Sequence, residues 1–235
     1  MKVALALGFV LLAVVATWTL GPARARAPGE LTVVELFQSQ GCSSCPPANA
    51  NVAAIADRPD VLALSFAVTY WDQLGWRDTF AKPQFTARQY DYARGLHHSN
   101  VYTPQVVVNG RQDLTGVDRG QLDAAIAGTA GVASRLLVLV NGTVAIREAP
   151  PRAPADIWLV RYDRRTLLVP IVAGENDGRT LPHRNIVREL VRIGSWNGAA
   201  ETFRLPPPAD ANFATAILVQ APNGGPILAA AKADR

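Results

Sequence analysis

Cys42 and Cys45 are the only cysteines in the 235-residue chain, and they stand three residues apart in Gly41-Cys-Ser-Ser-Cys-Pro-Pro47. Serine and proline are favoured in the first turn of a helix, where backbone N–H groups lack partners. A helix is therefore expected to begin here and run over Ala48 to Ala56. Orphan N–H groups and the helix dipole favour negative charge at that point. The Cys42 thiol is expected to be acidic and partly thiolate. Such a thiolate attacks a partner's disulfide to give a mixed disulfide, and Cys45, one turn along, can resolve it. As a plain staple the pair would contribute little, because so short a loop removes only about 2 kcal/mol of unfolded-chain entropy.

Four further sets of residues could serve that chemistry. Thr103-Pro104 stands ahead of the apolar run Gln105–Val108. Proline cannot donate to a strand ladder and belongs at a strand's start. With a cis bond before Pro104, the Thr103 backbone would turn toward the cysteines and could pair with an extended substrate, and the order of elements favours cis over the commoner trans form. Glu35 interrupts the apolar strand Leu31–Phe37 and shares a face with Val33 and Phe37. Buried near Cys45, its carboxylate would have a raised pKa and could take that thiol's proton; otherwise it is a half-exposed strand residue. Tyr70, Trp71 and Trp76 follow a second strand, at the end where open α/β sheets place their sites. They could line an apolar groove beside Cys42 or pack as core or lid. His97 and His98, with Cys42 and Cys45, would make a soft copper or zinc site, or else decorate a helix end. His183 reads as structural or surface.

The elements that must position these residues follow from local pattern. Leu31–Phe37 and Val61–Val68 read as buried strands, and Phe80–Leu96 as a helix with Phe85, Gln89, Tyr92 and Leu96 on one face. Asn109-Gly110 predicts a hairpin between Gln105–Val108 and Arg111–Leu114, and Asp118 an N-cap for a helix through Ala127. The order is strand, helix, strand, helix, strand, strand, helix, with the first two strands parallel. From about Leu136 short strands alternate with Asn-Gly, Pro and Gly turns: Leu136–Val140, Thr143–Ile146, Ile157–Tyr162, Thr166–Val172, Thr202–Leu205, Phe213–Gln220 and Ile227–Ala231. Asn185–Ile193 fits either state and is read as strand. These strands predict a small sandwich.

Three segments are expected: residues 1–27 as a signal peptide, 28–131 as a domain carrying the cysteine pair, and 132–235 as a β-rich C-terminal domain. Lys2, the apolar stretch Val3–Leu20, the break at Gly21-Pro22 and the small-x-small sites around Ala25 describe an export signal. Left uncleaved, the stretch would suffice for one short membrane anchor. Either way the bulk of the chain is expected in the periplasm or outside the cell, an oxidising environment. Removing the leader with Lys2, Arg24 and Arg26 brings the net charge from +4 to +1. With no basic run bearing aromatics, a nucleic-acid partner is excluded at this level. Apolar residues at 49% suit a globular chain.

Glu35-Leu-Phe-Gln-Ser-Gln-Gly-Cys-Ser-Ser-Cys-Pro-Pro-Ala48 resembles the signature of a secreted bacterial thioredoxin-like family of unknown function. The resemblance continues through Tyr70-Trp71-Asp72, Trp76, Phe85–Ala93 and Tyr102–Gly110. It returns at Trp158–Tyr162, Gly174-Glu-Asn176, Gly178–His183 and Asn185–Arg188. It implies a thioredoxin-like α/β fold, a mixed sheet built from βαβ and ββα units, followed by the β-rich segment. It also implies Cys42 as nucleophile, Cys45 as resolving thiol and Pro104 as a cis-proline beside them. Ser-Ser between the cysteines, with no Trp before them, departs from ordinary thioredoxins. The function expected is thiol–disulfide exchange with protein thiols or disulfides of the cell envelope, needing no cofactor beyond the redox-active disulfide. The alternatives are a metal-handling protein that delivers copper, and a non-enzymatic binding module in which the disulfide is a staple.

Overall fold

The computed structural model describes residues 30–150 and 154–233, so the leader expected at 1–27 and the centre of the Pro150–Pro154 loop lie outside the described residues. Strand β1 (Glu30–Gln38) lies parallel to β2 (Val61–Ala67), with helix α1 (Pro46–Ile55) connecting them. On β1's other side β3 (Gln105–Val108) runs antiparallel, and β4 (Gln112–Leu114) folds back on it. Asn109 and Gly110 make that turn with φ of 51° and 62°, the left-handed conformation that an Asn-Gly hairpin turn requires. Helix α2 (Pro83–Gly95) precedes β3, and α3 (Arg119–Gly128) follows β4. The carboxylate of Asp118 caps α3 by accepting the Gln121 N–H at 2.8 Å.

Strand alternation divides the core between two faces of the sheet. Val34 and Leu36 pack with Val52 and Ile55 of α1 and Leu122 and Ile126 of α3. Val33 and Phe37 pack on the opposite face with Phe66 of β2 and Phe85 and Tyr92 of α2. Full burial of an aliphatic or aromatic side chain contributes about 1.5–3 kcal/mol, so these two layers fix the β1 register.

The C-terminal half extends this sheet. Past β2 it continues with β11 (Ile186–Trp196), β8 (Ala155–Asp163), β13 (Phe213–Gln220) and β14 (Ile227–Lys232). The junction is short. Ile186 pairs with Ser65 in parallel, Asn185 O accepts the Ser65 N–H at 3.0 Å, and Asn185 Nδ2 donates to Ala63 O at 2.8 Å. A sandwich forms only locally, where β6 (Leu137–Val140), β7 (Thr143–Ile146) and β12 (Glu201–Arg204) make a separate small sheet. Leu137, Val144 and Ile146 of that sheet cover Ile157, Leu159, Ile217 and Val219 of the main one. The protein is thus a mixed sheet with few helices and a β-rich C-terminal region, and β5 (Val132–Ala133) bonds that region's first residues to β1.

Two local differences from the sequence reading have physical causes. Helix α2 starts at Pro83 rather than Phe80 because Lys82, before a proline, is held extended (φ −139°, ψ 143°). The strand at Thr166–Val172 is shorter, β9 (Leu167–Pro170), and pairs with an unanticipated strand, β10 (Thr180–His183). Pro182 within β10 masks it as a strand, and a two-stranded ribbon tolerates the missing donor. Of the two readings of His183, structural or surface, it takes the structural one: it is buried with its ring edge-on to Phe80 at 5.7 Å, and burial pulls its imidazole down to about 4.

Candidate functional site

Cys42 and Cys45 form a disulfide, with Cα atoms 5.4 Å apart. Cys45 occupies the N-cap position of α1, and Pro46 and Pro47 are its first two residues. Prolines have no N–H, so two of the orphan donors expected to stabilise a Cys42 thiolate do not exist. The helix offers its dipole, and Ser44 Oγ stands 3.4 Å from Cys42 Sγ. Both cysteines are fully buried, whereas Ser43 and Ser44 between them are exposed, so the disulfide lies directly beneath the surface.

Trp71 connects the pair's loop to the proline. A Cβ placed on Gly41 would stand 3.6 Å from Trp71 Cβ, and the indole N–H donates to Thr103 Oγ1 at 2.8 Å. The Thr103–Pro104 bond is cis, and Gln105, next along, pairs with Phe37 of β1. Tyr70 is partly buried on the α2-face core; burial pushes its phenol up to about 12, so it stays neutral. Trp76 donates its indole N–H to Gln40 Oε1 at 2.9 Å.

Glu35 keeps the face it shares with Val33 and Phe37, but its carboxylate is already paired. Its carboxylate is on the α2 face of the sheet, opposite the face that α1 covers, and pairs with Arg88: Nε to Oε1 is 2.7 Å and Nη2 to Oε2 is 3.1 Å. Tyr92 donates its hydroxyl to the same carboxylate. Glu35 is therefore a buried structural anion, and its fixed pairing corrects the expectation of a proton acceptor for Cys45. Nor are the histidines gathered with the cysteines. His98 Nε2 lies 2.8 Å from Asp113 Oδ1, and among the described residues no group of three or more His, Cys, Asp or Glu side chains forms a metal cradle.

Gln40 is the hub that sequence reading missed. Its N–H donates to Asp78 Oδ2 at 2.7 Å, its Nε2 to Thr79 Oγ1 at 3.0 Å, and its Oε1 also accepts the Thr79 N–H at 3.3 Å. Asp78 also accepts the Phe80 N–H at 2.8 Å. Burial pushes the Asp78 carboxyl up to about 6, against the pull of the Gln40 and Phe80 N–H groups. The folded chain thus holds this proton more tightly than the unfolded chain. The stability it contributes is complete below about pH 4 and lost as pH rises through about 6, a change of about 3 kcal/mol. Asp78→Asn is expected to flatten that slope in urea titrations at pH 4 to 7; parallel pH profiles for variant and wild type would refute it.

A second missed group comes from the loop between β9 and β10. Glu175 Oε2 accepts both the N–H (3.1 Å) and the hydroxyl (2.7 Å) of Ser43. Buried Asn176 donates Nδ2 to Gln40 O at 2.8 Å and Cys42 O at 3.0 Å, and its Oδ1 accepts from Arg179 at 2.6 Å. Gly174 carries φ 78° and passes so near Trp76 that a Cβ would lie 3.2 Å from Trp76 Cβ. The signal was present in Gly174-Glu-Asn176, but nothing in the sequence said what it touches.

Together these features define a Cys-x-x-Cys disulfide protein, with the pair set at the head of a helix in a mixed sheet and strapped by a C-terminal loop. The chain belongs to the family described as protein of unknown function (DUF1223), whose model matches residues 33–220. It is similar to the crystal structure of a protein from Agrobacterium tumefaciens, with a TM-score of 0.69 and 31% identity over 88% of this chain and 95% of that one. HBP35 of Porphyromonas gingivalis shares the fold at a TM-score of 0.56 and 12% identity, over 89% of this chain and 76% of that one. A search of curated proteins returned no match.

Proposed function

We propose that this is an exported, thioredoxin-like thiol–disulfide oxidoreductase that exchanges electrons with protein thiols in the cell envelope. The observation that carries the reading is the Cys42–Cys45 disulfide at the head of α1, linked through Trp71 to Thr103 and the cis Pro104. The βαβ and ββα arrangement around β1 supports the thioredoxin-like reading. In the reduced protein the Cys42 thiolate attacks one sulfur of a partner disulfide. A Cys42–partner bond forms and the partner's other sulfur leaves as thiolate. Cys45, deprotonated, then attacks Cys42 Sγ, restores the intramolecular disulfide and releases the second partner thiolate. Two electrons pass from the cysteine pair to the partner, and a dithiol donor must return them. Thr103, two residues before β3, supplies backbone for an extended substrate, and Trp71 shapes the wall. In this reading residues 28–131 carry the chemistry and the β-rich segment supplies the strap and partner surface.

The test is a single-turnover reaction. Pre-reduced protein, freed of reductant, is mixed with a model protein disulfide, and the thiols released are counted. Wild type is expected to transfer one electron pair per chain, and Cys42→Ser to remain at background. Equal release by the two proteins would reject the reading.

A further inference from the structure

The loop from Ile171 to Arg179 is built as a closed cover. Its base is tied by Ile171 N–H to Arg179 O (2.8 Å) and Gly178 N–H to Ile171 O (3.0 Å), and Asp177 N–H bonds to Gly174 O at 3.2 Å. It stands on the β9–β10 ribbon, which is not hydrogen-bonded into the main sheet, while β10 packs along α1. Its tip reaches the disulfide loop through four hydrogen bonds, two from Ser43 to Glu175 and two from Asn176 to the carbonyls of Gln40 and Cys42. The fold itself could persist without them, because β1, α1 and the α1-face core are fastened independently. These bonds tie the strap to the backbone around Cys42, beside the exposed Ser43 and Ser44 that separate the two buried cysteines.

We propose that Glu175 and Asn176 are specificity-determining residues that bar small thiols from the Cys42–Cys45 disulfide. The thiolate of a small molecule must reach Cys42 Sγ, form a bond there and expel Cys45 as thiolate, yet it can replace none of the four bonds that lifting the strap breaks. A thiol carried on a polypeptide can replace them. Its carbonyl or carboxylate oxygens take the Ser43 donors, and its N–H groups take the Gln40 and Cys42 carbonyls. This rests on the oxidoreductase reading for its purpose, but its mechanism concerns access to the disulfide alone.

The experiment follows reduction of the oxidised full chain by ethanethiol and by 1,3-propanedithiol, which carry no carbonyl, amide or hydroxyl groups, scored by alkylation of the freed thiols. Glu175→Ala, at an exposed side chain, is expected to be reduced several-fold faster than wild type, and Asn176→Ala about tenfold to a hundredfold faster. Glu175→Gln keeps an acceptor and is expected to stay near the wild-type rate. A urea series separates strap opening from loss of fold: reduction through the strap is nearly independent of urea, whereas reduction through global unfolding accelerates steeply. Rates equal to wild type in both alanine variants, or a steep urea dependence in them, would overturn the proposal. Faster reduction of the variants with no Cys42-dependent electron transfer would keep the strap and remove the oxidoreductase.

Discussion

Glu35→Ala is expected to lower the unfolding free energy by about 3–5 kcal/mol, as seen when one partner of a buried ion pair is removed. Glu35 is fully buried and Arg88 is 4% exposed, so neither charge is answered by water. Burial by itself would pull the Arg88 guanidinium down, and the Glu35 carboxylate beside it more than restores it, leaving it raised and charged. Its surroundings are the rings of Tyr92, Trp158 and Phe66, with centroids 5.0, 5.6 and 5.8 Å away. Cation–π attraction offsets part of the desolvation but cannot substitute for a bidentate carboxylate. Burial also pushes the Tyr92 phenol well above its ordinary range, so it remains a donor to Glu35 and loses that acceptor when the carboxylate goes, keeping only its bond from Arg88 and its contact with Gln220. Glu35→Leu combined with Arg88→Met should recover much of the loss, because two apolar side chains replace a pair whose desolvation was costly. Urea unfolding of the single and double variants provides the measurement. A loss under about 1 kcal/mol for Glu35→Ala, or a double variant no better than the single, would show that the ion pair is not a stability determinant.

Cys45→Ser should stop the exchange midway and convert a transient species into a stable one. Reduced Cys45→Ser still presents Cys42, which can attack a partner disulfide, but a hydroxyl cannot displace the partner from Cys42. A Cys42–partner adduct is expected to accumulate toward one per chain, visible by mass spectrometry and lost on adding dithiothreitol. Wild type under the same conditions should show almost none. The position of the sulfurs makes this informative: a staple with no exchange role would give no adduct, and attack by Cys45 first would give it on Cys42→Ser instead. The prolines at the head of α1 temper how fast it forms, because the helix lends Cys42 its dipole without two of the usual N–H donors.

Much of the local structure was legible before any coordinates. Asn109-Gly110, Asp118 and the alternation of Leu31–Phe37 specify a turn, a cap and a strand through interactions that reach only a few residues. Even the ambiguous stretch after Asn185 resolves as β11, in keeping with its β-favouring flanks. The aromatic positions overlap in role: Tyr70 and Trp71 both pack on the α2-face core, Trp71 also reaches Gly41 and Thr103, and Trp76 bonds Gln40. Glu35 was visible as a misfit in an apolar strand, but its partner Arg88 lies 53 residues on, and period-two alternation gives a face without saying which helix will cover it.

Propensity and side-chain chemistry act locally, and they suffice to seat the two cysteines at the head of a helix, after a buried strand and in company with a strand-initiating proline. Long-range packing is what makes the C-terminal strands extend the same sheet, pairs Glu35 with Arg88, and brings Glu175 to Ser43 from 132 residues away. Contacts of that span depend on which faces remain to be buried once the elements exist, and on the directions in which Asn185 and Gly174 let the chain turn. No window of sequence carries that information, since it belongs to the packed whole.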